Sequence, residues 1–117
     1  MAGYLTTHVL DTARGAPAAG MEVVLSRLDG GTRHVLARMR TNADGRTDAR
    51  ILPEEAFVTG TYELEFHAGA WMDATGVLAE SPRFLDVIPI RFGMSRDDHY
   101  HVPLLVSPFG YSTYRGS

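Results

Sequence analysis

Apolar and polar residues alternate with a period of two over most of this chain, the spacing of strands that bury one face. The clearest run is 61–67, where Tyr62, Leu64 and Phe66 share one face and Thr61, Glu63 and Glu65 the other. Residues 4–10 alternate as well, setting Leu5, Thr7 and Val9 against Thr6, His8 and Leu10. His8 therefore stands on a mixed face. Further strands are predicted over 21–28, with Met21, Val23 and Leu25 on one side, and over 32–41. Asp29-Gly30-Gly31 joins these two, because such residues accept the positive φ of a tight hairpin. Residues 84–92 form another strand, and Pro89, which cannot donate to a ladder, marks it as an edge or an irregularity. Residues 99–107 and 111–114 make a final hairpin around Ser107-Pro108-Phe109-Gly110.

Two segments break the period. Pro53-Glu54-Glu55-Ala56-Phe57 suits one helical turn, with Pro at a first helical position and carboxylates near the positive end of the dipole. Over 68–80, Ala70, Trp71, Ala74, Val77 and Leu78 recur at helical spacing, and Pro82 ends the helix. Residues 11–20, 41–45 and 93–98 read as loops and turns from their Gly, Pro, Asn and Asp content. Seven or eight short strands and one short helix indicate an all-β fold, a β-sandwich of two antiparallel sheets. Residues 1–117 are expected to form one domain, a common size with enough chain for a core.

Composition narrows the partners. A net charge of −3 with no run of like charges argues against nucleic acid as a ligand. The absence of cysteine excludes disulfides, thiolate metal sites and a cysteine nucleophile. No segment approaches the ~20 apolar residues of a membrane span, and the start lacks the pattern of a signal peptide. Cytoplasm is the expected location.

The candidate chemistry is sparse. His99 and His101 share a strand face with side chains about 7 Å apart. With His8 they could form a metal site, or they could be half-exposed strand residues. His34 and His67 read as surface residues. Arg46 follows the turn Asn42-Ala43-Asp44-Gly45 and by itself resembles any solvated arginine. Phosphate-loop and nucleophile-elbow motifs are both missing, and the adjacent Glu54 and Glu55 do not face one another as an acid–base pair. Residues 99–117 remain the densest stretch, ending on Tyr114-Arg115-Gly116-Ser117.

Three segments in order carry a resemblance: LTTHVLDTARGAPAAG near the start, TNADGR at 41–46, and HYHVPLLVSPFGYSTYRGS at the end. Together they resemble the transthyretin-related 5-hydroxyisourate hydrolase family over essentially the whole chain, and PEEAFVTGTYELEF is also similar to transthyretin itself. The resemblance implies a transthyretin-like sandwich that opens the six-membered ring of 5-hydroxyisourate, giving 2-oxo-4-hydroxy-4-carboxy-5-ureidoimidazoline, in purine breakdown. It implies a homotetramer, a dimer of dimers with sites in the channel between dimers, and neither metal nor organic cofactor. His8, Arg46 and His101 match the family's active-site positions, and Tyr114, Arg115, Gly116 and Ser117 its terminal signature, with His99 secondary. Trp71 stands where a tyrosine is more usual. On this reading His101 is the expected general base, His8 holds the water, Arg46 meets the oxyanion and Ser117 orients a histidine or the substrate; the two histidine roles can also be exchanged. The alternative class is a transthyretin-like carrier that binds a small molecule without catalysis.

Overall fold

The computed structural model describes residues 3–77 and 80–117. Among them, eight strands form two sheets of four. In chain order these are β1 (Tyr4–Asp11), β2 (Ala16–Pro17), β3 (Glu22–Asp29), β4 (Thr32–Arg40), β5 (Gly60–His67), β6 (Val87–Met94), β7 (His99–Ser107) and β8 (Gly110–Thr113). A 3-10 turn at Glu54–Ala56 precedes β5, and a helix, α1 (Ala68–Ala74), follows it. One sheet has the order β2-β1-β7-β8 and the other β4-β3-β5-β6. The core lies between them. Leu5, Val9, Val102 and Leu104 meet Val23, Leu25, Leu64, Phe66 and Ile88, all buried. Strict alternation in β1 buries Leu5, Thr7, Val9 and Asp11 and turns Tyr4, Thr6, His8 and Leu10 outward. None of the described helices is long and apolar enough to cross a membrane.

The sandwich and the helical turn at 54–56 agree with the sequence pattern, and the differences have local causes. Helix α1 stops at Ala74 because Thr75 turns its hydroxyl back onto the Trp71 carbonyl (2.9 Å) and Gly76 adopts φ 78°. A glycine in that conformation just past the last turn is a common helix stop. Leu78, placed in the helix from its spacing, lies outside the described residues. Trp71 is buried and donates its indole N–H to the Ala19 carbonyl (2.8 Å). The strand expected at 84–92 begins at Val87 and continues to Met94, since Gly93 and Met94 still pair with Thr61 and Gly60 and Met94 is buried. Phe84 is exposed instead of contributing to the strand. Pro89 does sit on an edge strand. Within the expected loop 11–20, Ala16 and Pro17 pair with the end of β1.

The expectation of antiparallel pairing holds for five ladders and fails for β1 with β7, which run parallel from Tyr4↔His99 to Asp11↔Val106. A period of two says which face is buried but not the direction of the neighbour. Parallel neighbours need a long crossover, and here the entire second sheet is built between them. Glu63, expected on the outer face, lies there but is buried, held by Arg33 (2.8 Å) and Arg91 (3.2 Å). Leu64 is fully buried between the sheets. Its replacement by alanine is expected to cost about 2–5 kcal/mol, read as a lowered midpoint in urea unfolding.

Candidate active site

The parallel register of β1 and β7 assembles the site. Tyr4 lies opposite His99, Thr6 opposite His101 and His8 opposite Pro103. The outward residues Tyr4, Thr6, His8, His99 and His101 form the floor of an open cleft of about 490 Å³. Arg46 and Arg50 line it from one side, and Tyr114, Gly116 and Ser117 from the terminal tail.

Backbone contacts bring Arg46 to this floor. The Asn42 side chain accepts hydrogen bonds from the N–H groups of Asp44 (2.9 Å) and Arg46 (3.2 Å), closing a compact turn. The Gly45 carbonyl then accepts from Val9 N–H (2.8 Å), and Arg46 bridges to His8. Gly45 has φ 74°, and a Cβ there would stand 2.5 Å from the Val9 carbonyl oxygen. Only glycine permits both the turn and the approach. Asp44-Gly45-Arg46 is thus a device for setting a guanidinium beside a strand histidine.

The tail is held in a similar way. Thr113 donates its hydroxyl to the Pro103 carbonyl (2.7 Å), and Gly116 N–H donates to the His101 carbonyl (2.7 Å). A Cβ on Gly116 would meet His101 Cδ2 at 2.7 Å, so the missing side chain is what lets the tail lie against the imidazole. Arg115 does not line the cleft. Its guanidinium covers the Tyr100 ring (4.2 Å) and reaches the Asp98 carboxylate (3.3 Å) and the His99 carbonyl (3.2 Å). This is an anchor for the tail.

The histidines are linked to one another. His8 Nδ1 and His101 Nε2 lie 2.7 Å apart, and His101 Nδ1 lies 2.7 Å from the Thr6 hydroxyl. The same hydroxyl lies 2.9 Å from His99 Nε2. Two ligands on a tetrahedral zinc are roughly 3.3 Å apart, given Zn–N bonds near 2.0–2.1 Å. The His8–His101 separation is instead that of a hydrogen bond, and among the described residues no three His, Cys, Asp or Glu side chains form a metal-binding group. Burial and the nearby cations oppose a further charge. His101 is pushed down to about 4 from 6.5, chiefly by burial and then by His8, Arg46 and His99. His8 is also lowered, by burial first and Arg46 second. Both rings are neutral at physiological pH.

His8, Arg46, His101, Tyr114, Gly116 and Ser117 therefore meet in one cleft, with His99 beside them. Sequence reasoning missed Tyr4 and Arg50 and passed over Thr6. Tyr4 stacks on His99 (4.2 Å between ring centres), and the Arg50 guanidinium covers the Tyr4 ring (3.6 Å). The signal for Tyr4 and Thr6 was present, since they alternate onto the face of His8.

Fold and site together define a two-sheet sandwich with a histidine–arginine cleft on one outer face, equipped to accept a proton beside a fixed cation. The chain belongs to the HIUase/transthyretin family, whose profile matches residues 5–116. It is 55% identical to 5-hydroxyisourate hydrolase 2 of Rhizobium meliloti (strain 1021), with 98% of this chain and 97% of the relative aligned. It is 58% identical to 5-hydroxyisourate hydrolase of Mesorhizobium japonicum, over 98% and 93% of the two chains. Among solved structures, Klebsiella pneumoniae 5-hydroxyisourate hydrolase superposes with a TM-score of 0.81 at 38% identity, over 98% and 94%. Sea bream transthyretin in complex with thyroxine gives 0.85 at 28% identity, over 96% and 93%. An (S)-allantoin synthase gives 0.91 at 44% identity, although this chain covers 98% of itself and only 44% of that protein.

The lowered histidines predict an acid sensitivity. Between pH 6.5 and about 4 the unfolded chain protonates a histidine that the folded chain keeps neutral at position 101. Stability supplied by this site is present above pH 6.5 and drains away as pH falls toward 4. The melting temperature should fall over that window, and His101→Asn should flatten this part of the profile in differential scanning fluorimetry.

Proposed function

We propose that this chain hydrolyses 5-hydroxyisourate to 2-oxo-4-hydroxy-4-carboxy-5-ureidoimidazoline, acting as one domain without a cofactor. The reading is carried by a neutral His8–His101 pair beside Arg46 in a chain so similar to proteins bearing that hydrolase name. Opening a cyclic amide requires a nucleophilic water, stabilisation of the oxyanion and a proton for the leaving nitrogen. A neutral imidazole supplies the first and returns the third. Both ring nitrogens of His101 are engaged, by His8 and Thr6, whereas His8 Nε2 has no hydrogen-bond partner among the described residues. This favours His8 as the group that takes the proton from water, with His101 behind it, the exchange of the roles first expected.

Water then attacks the amide carbon as its proton passes to His8 Nε2. The carbonyl oxygen becomes an oxyanion facing the Arg46 guanidinium, a permanent cation with planar donors. Collapse of the tetrahedral intermediate breaks the carbon–nitrogen bond, and His8 returns the proton to the departing nitrogen. The Ser117 hydroxyl and Tyr114 hold the substrate against the floor. Arg115 acts by fixing the tail.

The cleft is an open face, with the lining residue Tyr114 substantially exposed. We assign the working form as a homotetramer, a dimer of dimers that closes one face of the first sheet over another. Light scattering should then give four times the 12.8 kDa of one chain.

The activity is tested by generating 5-hydroxyisourate in situ with urate oxidase and following its absorbance decay. The chain should accelerate the decay, and His8→Asn should lower the rate by about 10²–10⁴. No acceleration, with tight binding of an aromatic ligand in the same cleft, would instead assign the chain to the carriers represented by transthyretin.

A further inference from the structure

Thr6 sits between two histidines with one hydroxyl hydrogen to give. Its Oγ1 lies 2.7 Å from His101 Nδ1 and 2.9 Å from His99 Nε2, and it has no other hydrogen-bond partner among the described residues. A hydroxyl can donate once and accept from the other side. The ring it donates to must present a bare nitrogen, and the ring it accepts from a protonated one.

The consequence runs through all three rings. If His101 donates from Nδ1 to Thr6, its Nε2 is bare and accepts from His8 Nδ1, while Thr6 donates to His99 Nε2. Every neutral ring then carries its hydrogen on Nδ1, and His8 Nε2 is left bare. Rotating the hydroxyl the other way places every hydrogen on Nε2, and His8 then cannot accept a proton from water. The hydroxyl orientation therefore decides whether His8 is competent.

We propose that Thr6 is a positioning residue for the hydrolysis, its hydroxyl locking His8, His101 and His99 into one common tautomer and passing a proton from His101 to His99. This rests on the hydrolase reading for its catalytic part but not for the tautomers. The balance is complete. When His8 Nε2 takes a proton, the Nδ1 hydrogen of His8 moves to His101 Nε2, that of His101 Nδ1 moves to Thr6, and the hydroxyl hydrogen moves to His99 Nε2. Two rings end neutral with hydrogen on Nε2, and the single positive charge ends on His99. Reversal of the same steps returns the proton to the leaving nitrogen.

The charge is thereby moved from the ring beside Arg46 to one stacked on Tyr4. The charged groups around that end are mixed. Arg50 covers Tyr4, Arg115 meets the His99 carbonyl, and Asp98, next in sequence, accepts from His99 N–H through its carboxylate (2.8 Å) and pairs with Arg115. Tyr114 and Ser117 face the cleft side from the tail.

Two variants and one spectroscopic measurement test this. Thr6→Val keeps the branched shape without the hydroxyl, and Thr6→Ser keeps the hydroxyl. Turnover of 5-hydroxyisourate should fall in kcat by about 10- to 100-fold in Thr6→Val, the scale of one hydrogen bond to a charged group. KM should be little changed, and Thr6→Ser should stay within about threefold of the parent chain. Independently, imidazole 15N shifts of the parent chain at neutral pH should show His8, His101 and His99 in the same tautomer, with the agreement between His101 and His99 lost in Thr6→Val. Opposite tautomers at His99 and His101 in the parent chain, or Thr6→Val turning over like the parent, would overturn the proposal. Should the parent chain show no hydrolysis, the functional reading fails while the 15N measurement still decides the coupling. If Thr6→Val does not fold, the parent spectrum and the Thr6→Ser kinetics decide it.

Discussion

The parallel ladder between β1 and β7 sets the position of the groups on the cleft floor. Its backbone hydrogen bonds fix Thr6 opposite His101 and Tyr4 opposite His99. A slip of one residue would turn His8 and Thr6 into the core and Thr7 and Val9 out to solvent, because side chains alternate across a strand. The buried residues between the sheets therefore hold the register of the cleft as well as the fold. Leu5 and Val9 on one face cannot stay buried unless Thr6 and His8 on the other point into the cleft.

Onto this floor the chain brings two irregular segments, and in both the decisive contact is made by backbone. The turn ending at Arg46 is tied through the Gly45 carbonyl to Val9, and the tail through Gly116 N–H to the His101 carbonyl. Each glycine sits where a side chain would collide, with a strand carbonyl in one case and the imidazole in the other. Backbone bonds to strands have little freedom, so the arginine and the tail inherit the rigidity of the sheet. Such rigidity holds the Arg46 guanidinium and the imidazoles at a fixed separation.

Electrostatics then decides the state of the histidines. Burial lowers the proton affinity of both His8 and His101, and the charge of Arg46 adds to that effect at each. The lowered pKa values of His8 and His101 favour their neutral rings, which are hydrogen-bonded to each other, with a hydroxyl rather than a carboxylate between His101 and His99. A carboxylate at that position would favour imidazolium; a hydroxyl leaves the charge balance to the surroundings.

Much of this was legible before any tertiary contact was known. Alternation at 4–10 and 61–67 identified the buried faces, Pro89 marked an edge or an irregularity, and the three segments around His8, Arg46 and His101 pointed to one family. Alternation even put Tyr4 and Thr6 beside His8, although nothing local distinguished them from ordinary strand residues. The sequence by itself determined which side chains face inward and which residue types are present to do chemistry, because those follow from the pleat and from side-chain identity. Only the tertiary structure decided that β1 runs parallel to β7, that Arg115 anchors while Arg46 faces the cleft, and that Thr6 stands between two imidazoles. Those outcomes depend on contacts between residues about ninety positions apart, such as Thr6 with His99 and His101, and no local pattern encodes a partner at that distance.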